Sequence, residues 1–297
     1  MKEIVIISGK GGVGKSAVTA SLGFILAGKH RILLADTDVD APNLHLAFET
    51  RLTDFKEISA SEKAFIDYEL CSGCMTCVDT CRFGAIAAAT ARPVVMPYAC
   101  EGCGACALAC PEQTIEVRPV VNGRINIFAT SGLPLVAGQL SIGGSSSGRL
   151  VDQVKRRARE EGENSRAEII LIDGPPGIGC PVIAALKGAD YALLVTEPST
   201  SALHDLQRVV EVAGHFRIGM GLVINKADIH EESRRTIYAY AEKNGLDVLG
   251  EIPYDINVPK AIANGQPVVA AYPHSVAALH INRLAVILLE VVSFIHG

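Results

Sequence analysis

At 297 residues, with 49% hydrophobic side chains and a net charge of −5, the chain has the length for one large α/β domain plus a smaller module and the apolar content for a substantial core. Its negative balance offers no footprint for a polyanion, so nucleic acid is not an expected partner. Met1-Lys2-Glu3 leads into an apolar run with no n-region or cleavage site, and the apolar stretch near the C-terminus is broken by His280, Asn282, Arg283 and Glu290; a cytoplasmic protein with no transmembrane segment is expected.

Glu3 to Ile7 reads as a buried parallel strand and Ala17 to Ala27 as a helix. Between them Gly9-Lys10-Gly11-Gly12-Val13-Gly14-Lys15-Ser16 fits the phosphate-cradling pattern G-x-x-x-x-G-K-[ST]. The backbone N–H groups of such a loop and the positive end of the following helix converge on one anion. Lys15 is expected on the β- and γ-phosphates and the Ser16 hydroxyl on Mg²⁺. A glycine turn that fits by chance is the alternative, and the order strand, loop, helix argues against it.

Arg31 to Ala35 reads as a second buried strand, so Asp36-Thr37-Asp38-Val39-Asp40-Ala41-Pro42-Asn43 falls at its carboxyl end, where open parallel sheets bind ligands. These carboxylates are candidates for Mg²⁺ or for the attacking water. A polar turn is the competing reading, but closely spaced carboxylates repel unless a cation compensates.

Eight of the nine cysteines lie between Cys71 and Cys110, as Cys71-x2-Cys74-x2-Cys77-x3-Cys81 and Cys100-x2-Cys103-x2-Cys106-x3-Cys110-Pro111, an internal repeat with Tyr68 and Tyr98 ahead of each set. Each half matches a ferredoxin run, whose fourth cysteine serves the other cluster. The expectation is therefore two 4Fe-4S clusters, one on Cys71, Cys74, Cys77 and Cys110, the other on Cys100, Cys103, Cys106 and Cys81. Zinc is the weaker alternative, since each run supplies three ligands plus one rather than two pairs. Arg82 stands where proline usually follows the fourth cysteine. Seven acidic and three basic side chains between Ala60 and Val117 predict a partner with a basic face, against the plainer reading of a solvated surface.

The α/β pattern resumes at Arg124 to Phe128. Gly143-Gly144-Ser145-Ser146-Ser147-Gly148 reads as a loop leading into a helix through about Arg157. Glu168 to Asp173, followed by Gly174-Pro175-Pro176-Gly177, reads as a strand that ends in a magnesium-holding aspartate and a turn sensitive to the γ-phosphate. Strands over Tyr191–Val195, Gly221–Ile224 and Val248–Ile252 alternate with helices, which implies a parallel sheet covered on both faces. Asn225-Lys226-Ala227-Asp228 and Pro253-Tyr254 follow two of these strands and are candidates for flanking a base. The apolar final helix from Val276 is expected to pack on the sheet.

With Lys10 as the signature lysine of a deviant Walker A motif, the chain resembles the MinD/ParA ATPases, and the cysteine block makes it look like members of that superfamily carrying an inserted ferredoxin domain. The resemblance implies an α/β P-loop NTPase domain over 1–59 and 118–297, mostly parallel with helices on both faces, and a small α+β ferredoxin-type domain over 60–117. It implies Mg-ATP binding by Gly9 to Ala17, Asn225, Lys226, Pro253 and Tyr254, with Mg²⁺ at Ser16, Asp36 and Asp173. It implies slow, partner-stimulated hydrolysis to ADP and phosphate through Lys10, Lys15, Asp38 and Asp173. In that family two subunits sandwich two ATP molecules, so an ATP-dependent homodimer follows, Lys10 reaching the partner's phosphates. Switch I falls on Asp36, Asp38 and Asn43, with Asp38 orienting water, and switch II on Asp173 to Gly177. Asn225 contacts adenine, although Asn225-Lys226-Ala227-Asp228 also fits the guanine-reading N-K-x-D pattern.

The function so implied couples the ATP cycle to electron transfer with a redox or iron-sulfur protein partner. The alternatives are an iron-sulfur assembly or carrier ATPase of the Mrp type, and a positioning or binding switch with structural clusters. Cys180 is similar in place to a bridging cluster ligand of the nitrogenase iron protein. It lacks a second cysteine beside it, so a small buried residue is the expected role.

Overall fold

Parallel strands covered on both faces read as unbroken apolar runs, and such runs form the middle of the main sheet. The computed structural model describes residues 1–130, 132–144 and 147–293. In chain order the strands are β1 (Lys2–Ser8), β2 (Ile32–Asp36), β3 (Arg51–Ile58), β4 (Ser61–Ile66), β5 (Ile86–Ala89), β6 (Arg92–Val95), β7 (Ile115–Val120), β8 (Gly123–Ala129), β9 (Leu135–Leu140), β10 (Ile169–Pro176), β11 (Tyr191–Thr196), β12 (Gly219–Asn225) and β13 (Asp247–Ile252). The helices are α1 (Lys15–Ala27), α2 (Thr76–Thr80), α3 (Ala105–Ala109), α4 (Ser147–Ser165), α5 (Cys180–Leu186), α6 (Thr200–Gly214), α7 (Glu231–Lys243), α8 (Asn257–Ala263), α9 (Val268–Ala271) and α10 (Val276–Ser293), with a 3₁₀ turn at Leu44–Ala47.

Two units divide the chain: Met1–Phe55, Ile125–Gln139 and Val151–Gly297 form the first, Lys56–Arg124 and Leu140–Leu150 the second. The first is built on a nine-stranded sheet in the order β13-β12-β11-β1-β10-β2-β9-β8-β3. β1 pairs in parallel with β10 and β11, β10 with β2, β11 with β12, β12 with β13 and β2 with β9. The connection 130–134 between β8 and β9 is too short for a parallel crossover, so β8 runs antiparallel to β9 and the sheet is mixed. On one face Ile4, Ile6, Leu34, Leu171, Leu193 and Val223 join Val18 and Leu22 of α1 and Ile281, Leu284 and Leu288 of α10 in one buried core.

By length and composition α10 could cross a membrane, with a mean hydropathy of 1.7. In this fold Ala277, Ala278, Ile281, Leu284, Ala285, Leu288 and Val292 are buried, which makes it a core helix of the sheet. The strand that begins near Glu168 does not stop at Asp173 but continues to Pro176, and α4 runs on to Ser165. Of the glycine and serine segment ahead of it, Ser145 and Ser146 lie outside the described residues.

The second unit carries two antiparallel pairs, β4 with β7 and β5 with β6, together with α2 and α3. Its core joins Ala64, Ala85, Ile86 and Ile115 to Cys77, Cys100 and Cys106. The expected ferredoxin-type metal domain is corrected here. Among the described residues no group of three or more Cys, His, Asp or Glu side chains is placed to hold a metal ion, and three of the cysteines pack as small apolar groups, as buried free thiols do.

Candidate nucleotide site

The glycine loop takes the shape its residues allow. Gly12 and Gly14 have φ of 82° and 92°, which side chains disfavour, and a Cβ on Gly14 would stand 2.2 Å from Asn225 Nδ2. α1 then begins at Lys15. One cavity of about 310 Å³ opens here, lined by Ser8 at the end of β1, by Gly11, Gly12 and Gly14 of the loop, by Lys15, Ser16 and Ala17 at the start of α1, by Asp38 and Asn43 after β2, and by Pro176 at the end of β10. Three separate segments singled out in the sequence thus meet at one site. Leu46, Ala47 and Ile262, which the sequence did not point to, complete the wall.

Beneath the loop is a buried charge cluster. Asp36 and Asp173 are fully buried and adjacent in the register of β2 and β10. Lys15 Nζ donates to Asp173 Oδ1 at 2.8 Å, and Thr19 Oγ1 lies 3.0 Å from the same oxygen. Thr37 donates to the Asp173 carbonyl through N at 2.8 Å and Oγ1 at 2.9 Å. Asp173 Oδ2 is buried with no hydrogen-bond partner. Asp36 accepts from the backbone N–H groups of Asp38, Asn43 and Leu44 at 2.9–3.1 Å, which shapes the loop after β2.

Charge in this cluster is unbalanced. Burial first, then the facing Asp173, pushes Asp36 up to about 8. Burial also pushes Asp38 up to about 6 against the pull of Lys15, with Asp173 and Asp40 adding to the rise. Burial alone would lower the Lys15 ammonium, but Asp173, Asp36 and Asp38 outweigh it and hold Lys15 above the ordinary lysine value.

Lys10 is turned away from this cavity. Its Nζ lies 3.2 Å from Ser201 Oγ and 3.2 Å from Glu197 Oε1. Lys226 Nζ takes the other Glu197 oxygen at 2.7 Å and donates to the Gly12 carbonyl at 3.0 Å. Asn225 Nδ2 donates to the Val13 carbonyl at 2.7 Å. Asp228 Oδ1 accepts from Tyr254 N at 2.6 Å. Neither Asn225, Lys226, Pro253 nor Tyr254 is among the cavity's lining residues; the first two tie β12 to the loop backbone. Glu197, Ser201, Thr19 and Thr37 escaped the sequence reading. Thr19 alone left a signal, one helical turn after Lys15 on the same face.

The cysteines of the expected second site are not placed as a metal-holding group among the described residues. Cys71, Cys74, Cys77 and Cys110 border one small cavity of about 10 Å³, while Cys81, Cys100 and Cys106 belong to the small core or pack against it and Cys103 is exposed. All are free thiols, and Cys74 and Cys110 lie 3.3 and 3.4 Å from the Thr76 and Thr114 hydroxyls. With no metal-holding group among the described residues, the two 4Fe-4S clusters, the electron-transfer role, the iron-sulfur carrier role and the redox or iron-sulfur partner are all withdrawn. Cys180 is corrected too: it is exposed at the first residue of α5 rather than buried.

A glycine loop between the first strand and its helix, a lysine and serine entering that helix, and an aspartate on the neighbouring strand define a P-loop ATPase. The chain belongs to the CobQ/CobB/MinD/ParA nucleotide-binding family, whose domain model, CbiA, matches residues 4–268. It is 37% identical over 262 residues, 88% of each chain, to the uncharacterized protein MJ0578 of Methanocaldococcus jannaschii. It is 29% identical over 296 residues to the chloroplastic septum site-determining protein minD homolog of Arabidopsis thaliana, covering 97% of this chain and 74% of that one. Among solved structures, the septum site-determining protein MinD of Pyrococcus horikoshii, complexed with Mg-ADP, superimposes with a TM-score of 0.62 at 20% identity, over 100% of this chain and 99% of that one. The protein is an enzyme that hydrolyses ATP, and its fold is that of the P-loop ATPases.

Proposed function

We propose that this protein is a cytoplasmic, ATP-driven dimerisation switch of the MinD/ParA positioning kind. The observation that carries it is the placement of Lys10. This cation of the phosphate loop makes no contact with its own cavity, is one-third exposed, and is held by Glu197 and Ser201 at 3.2 Å. Ion pairs open to solvent on one side are weak, so Lys10 is free to exchange Glu197 for the phosphates of a nucleotide bound by a second copy.

Within one subunit, Gly9 to Ala17 cradle the phosphates and Lys15 leaves Asp173 for the β- and γ-oxygens. The donor set fits Mg²⁺: Ser16 borders the cavity, and the buried Asp173 Oδ2 has no other partner. Mg²⁺ needs only one or two protein oxygens beside phosphates and water, and Ser16 and Asp173 would hold it, with Asp36 behind. Bound there, the ion neutralises phosphate charge and supports hydrolysis. Asp38, on the cavity wall, orients the attacking water. Asn225 and Lys226 brace the loop beside the base, and Pro253 and Tyr254 flank it.

The test is molar mass by light scattering with Mg-ADP and with a non-hydrolysable Mg-ATP analogue. A dimer with the analogue and a monomer with ADP are expected, and Lys10→Ala should bind nucleotide yet stay monomeric. Equal masses in both nucleotide states would sink the reading.

A further inference from the structure

The Asp173 carboxylate has two oxygens with different fates, and the difference points to a residue outside the known motifs. Oδ2 is the orphan. Oδ1 is held by Lys15 at 2.8 Å and faces Thr19 Oγ1 at 3.0 Å. When Lys15 moves to the phosphates, Oδ1 loses its cationic partner inside a fully buried setting. Unless something else holds it, the carboxylate is free to turn about its side-chain torsion, and Oδ2 loses its aim.

We propose that Thr19 is the positioning residue that keeps Asp173 aimed at the magnesium of a bound nucleotide. Thr19 is 0% exposed. Its hydroxyl has a single proton and two acceptors at 3.0 Å, the Lys15 carbonyl one turn back and Asp173 Oδ1. The bond to the preceding carbonyl is the ordinary resting place for a threonine inside a helix. An ionised carboxylate is the stronger acceptor, so departure of the Lys15 ammonium draws the proton to Oδ1. Thr37 meanwhile fixes the Asp173 backbone carbonyl with two bonds. The backbone is therefore held by Thr37 and the side chain by Thr19, leaving only Oδ2 for the metal.

The inference rests on the nucleotide site proposed above, and its test separates the two. Binding of a fluorescent ADP to the full chain is titrated with Mg²⁺ for wild type, Thr19→Val and Thr19→Ser. Losing a residue that orients a metal ligand costs about 10- to 100-fold in metal affinity. Thr19→Val should need at least about tenfold more Mg²⁺ for half of the metal's effect, while its affinity for ADP in EDTA stays as in wild type. Thr19→Ser, which keeps the hydroxyl, should titrate like wild type. If Thr19→Val does not fold, Thr19→Ala is judged by the same criteria. A valine or alanine variant that titrates like wild type, or a serine variant as impaired as valine, overturns the role of Thr19. Wild-type ADP binding that ignores Mg²⁺ overturns the site itself.

Discussion

Lys10 Nζ and Glu197 Oε1 stand 3.2 Å apart, and the same carboxylate takes Lys226 on its other oxygen. Glu197 thus holds two cations, Lys226, which also donates to the Gly12 carbonyl, and Lys10, which in the dimer proposed above leaves it for the second copy's nucleotide. Both lysines pull Glu197 below the usual glutamate range, offsetting the burial that would raise it.

Removing that hold should favour the dimer. In Glu197→Gln the cost of detaching Lys10 falls by what a partly exposed ion pair contributes, about 0.2–1 kcal/mol. Both subunits release a Lys10, so the dimer formed with a non-hydrolysable ATP analogue should then tighten by no more than about 30-fold, as read by sedimentation equilibrium. A weakened dimer would mean that Glu197 acts across the interface rather than against it.

Stability of the nucleotide-free protein should fall as pH rises. Asp36 and Asp38 have folded values near 8 and 6, above the unfolded carboxylate value, so the folded state binds the extra protons. Between pH 4 and 8 the unfolded state binds fewer, and the unfolding free energy declines. The loss is complete once pH exceeds the folded values. The Mg²⁺ that accompanies ADP would set a positive charge beside Asp173 and Asp36, so the gap between melting temperatures with Mg-ADP and with ADP in EDTA should widen from pH 5 to 8.5. Scanning fluorimetry across that range checks it, and a constant gap counts against the charge cluster as the metal's seat.

What could be read in advance follows from which forces are local. The loop Gly9 to Ser16, and the strands around Ile6, Leu34, Leu171 and Leu193, announce themselves because a phosphate cradle needs glycine and a doubly covered strand needs unbroken apolar residues. β3 does not, since Arg51 to Glu57 are exposed throughout and carry no alternation. Glu197 and Ser201 bear on Lys10 only once β11 is laid beside β1, a pairing no local pattern specifies. The cysteine spacing gives an order of thiols along the chain. It does not say that Cys77, Cys100 and Cys106 are taken into the core with Ile86 and Ile115 while Cys74 and Cys103 stay outside.

A second buried charge group offers a test of stability alone. Lys155, 3% exposed, donates to the Ala185 and Lys187 carbonyls at 2.7 and 2.6 Å and lies 3.4 Å from Glu3 Oε2. Burial lowers its pKa although Glu3 opposes the shift. It therefore ties the C-terminal end of α5 to β1. Lys155→Met keeps the length but strands two carbonyls, leaving Glu3 to Arg159, and should cost about 2–4 kcal/mol in urea unfolding. A change below about 0.5 kcal/mol would show that water replaces the ammonium there.

Asp228 bears on which base is read. In a guanine-reading N-K-x-D motif the aspartate must accept two N–H groups from the base, and it must face the nucleotide to do so. Here its Oδ1 already accepts from Tyr254 N at 2.6 Å, while Asn225 and Lys226 are spent on the Val13 and Gly12 carbonyls. The motif works as a clamp between the phosphate loop and the Pro253-Tyr254 segment. The expected outcome is a preference for ATP over GTP that survives in Asp228→Asn, with overall nucleotide affinity reduced about three- to tenfold by the weaker hold on Tyr254. Competition of ATP, GTP and xanthosine triphosphate for a fluorescent ADP measures this. An aspartate that reads guanine would instead give a GTP preference in wild type and pass it to the xanthine nucleotide in the asparagine variant, because the amide presents a donor where the carboxylate accepted.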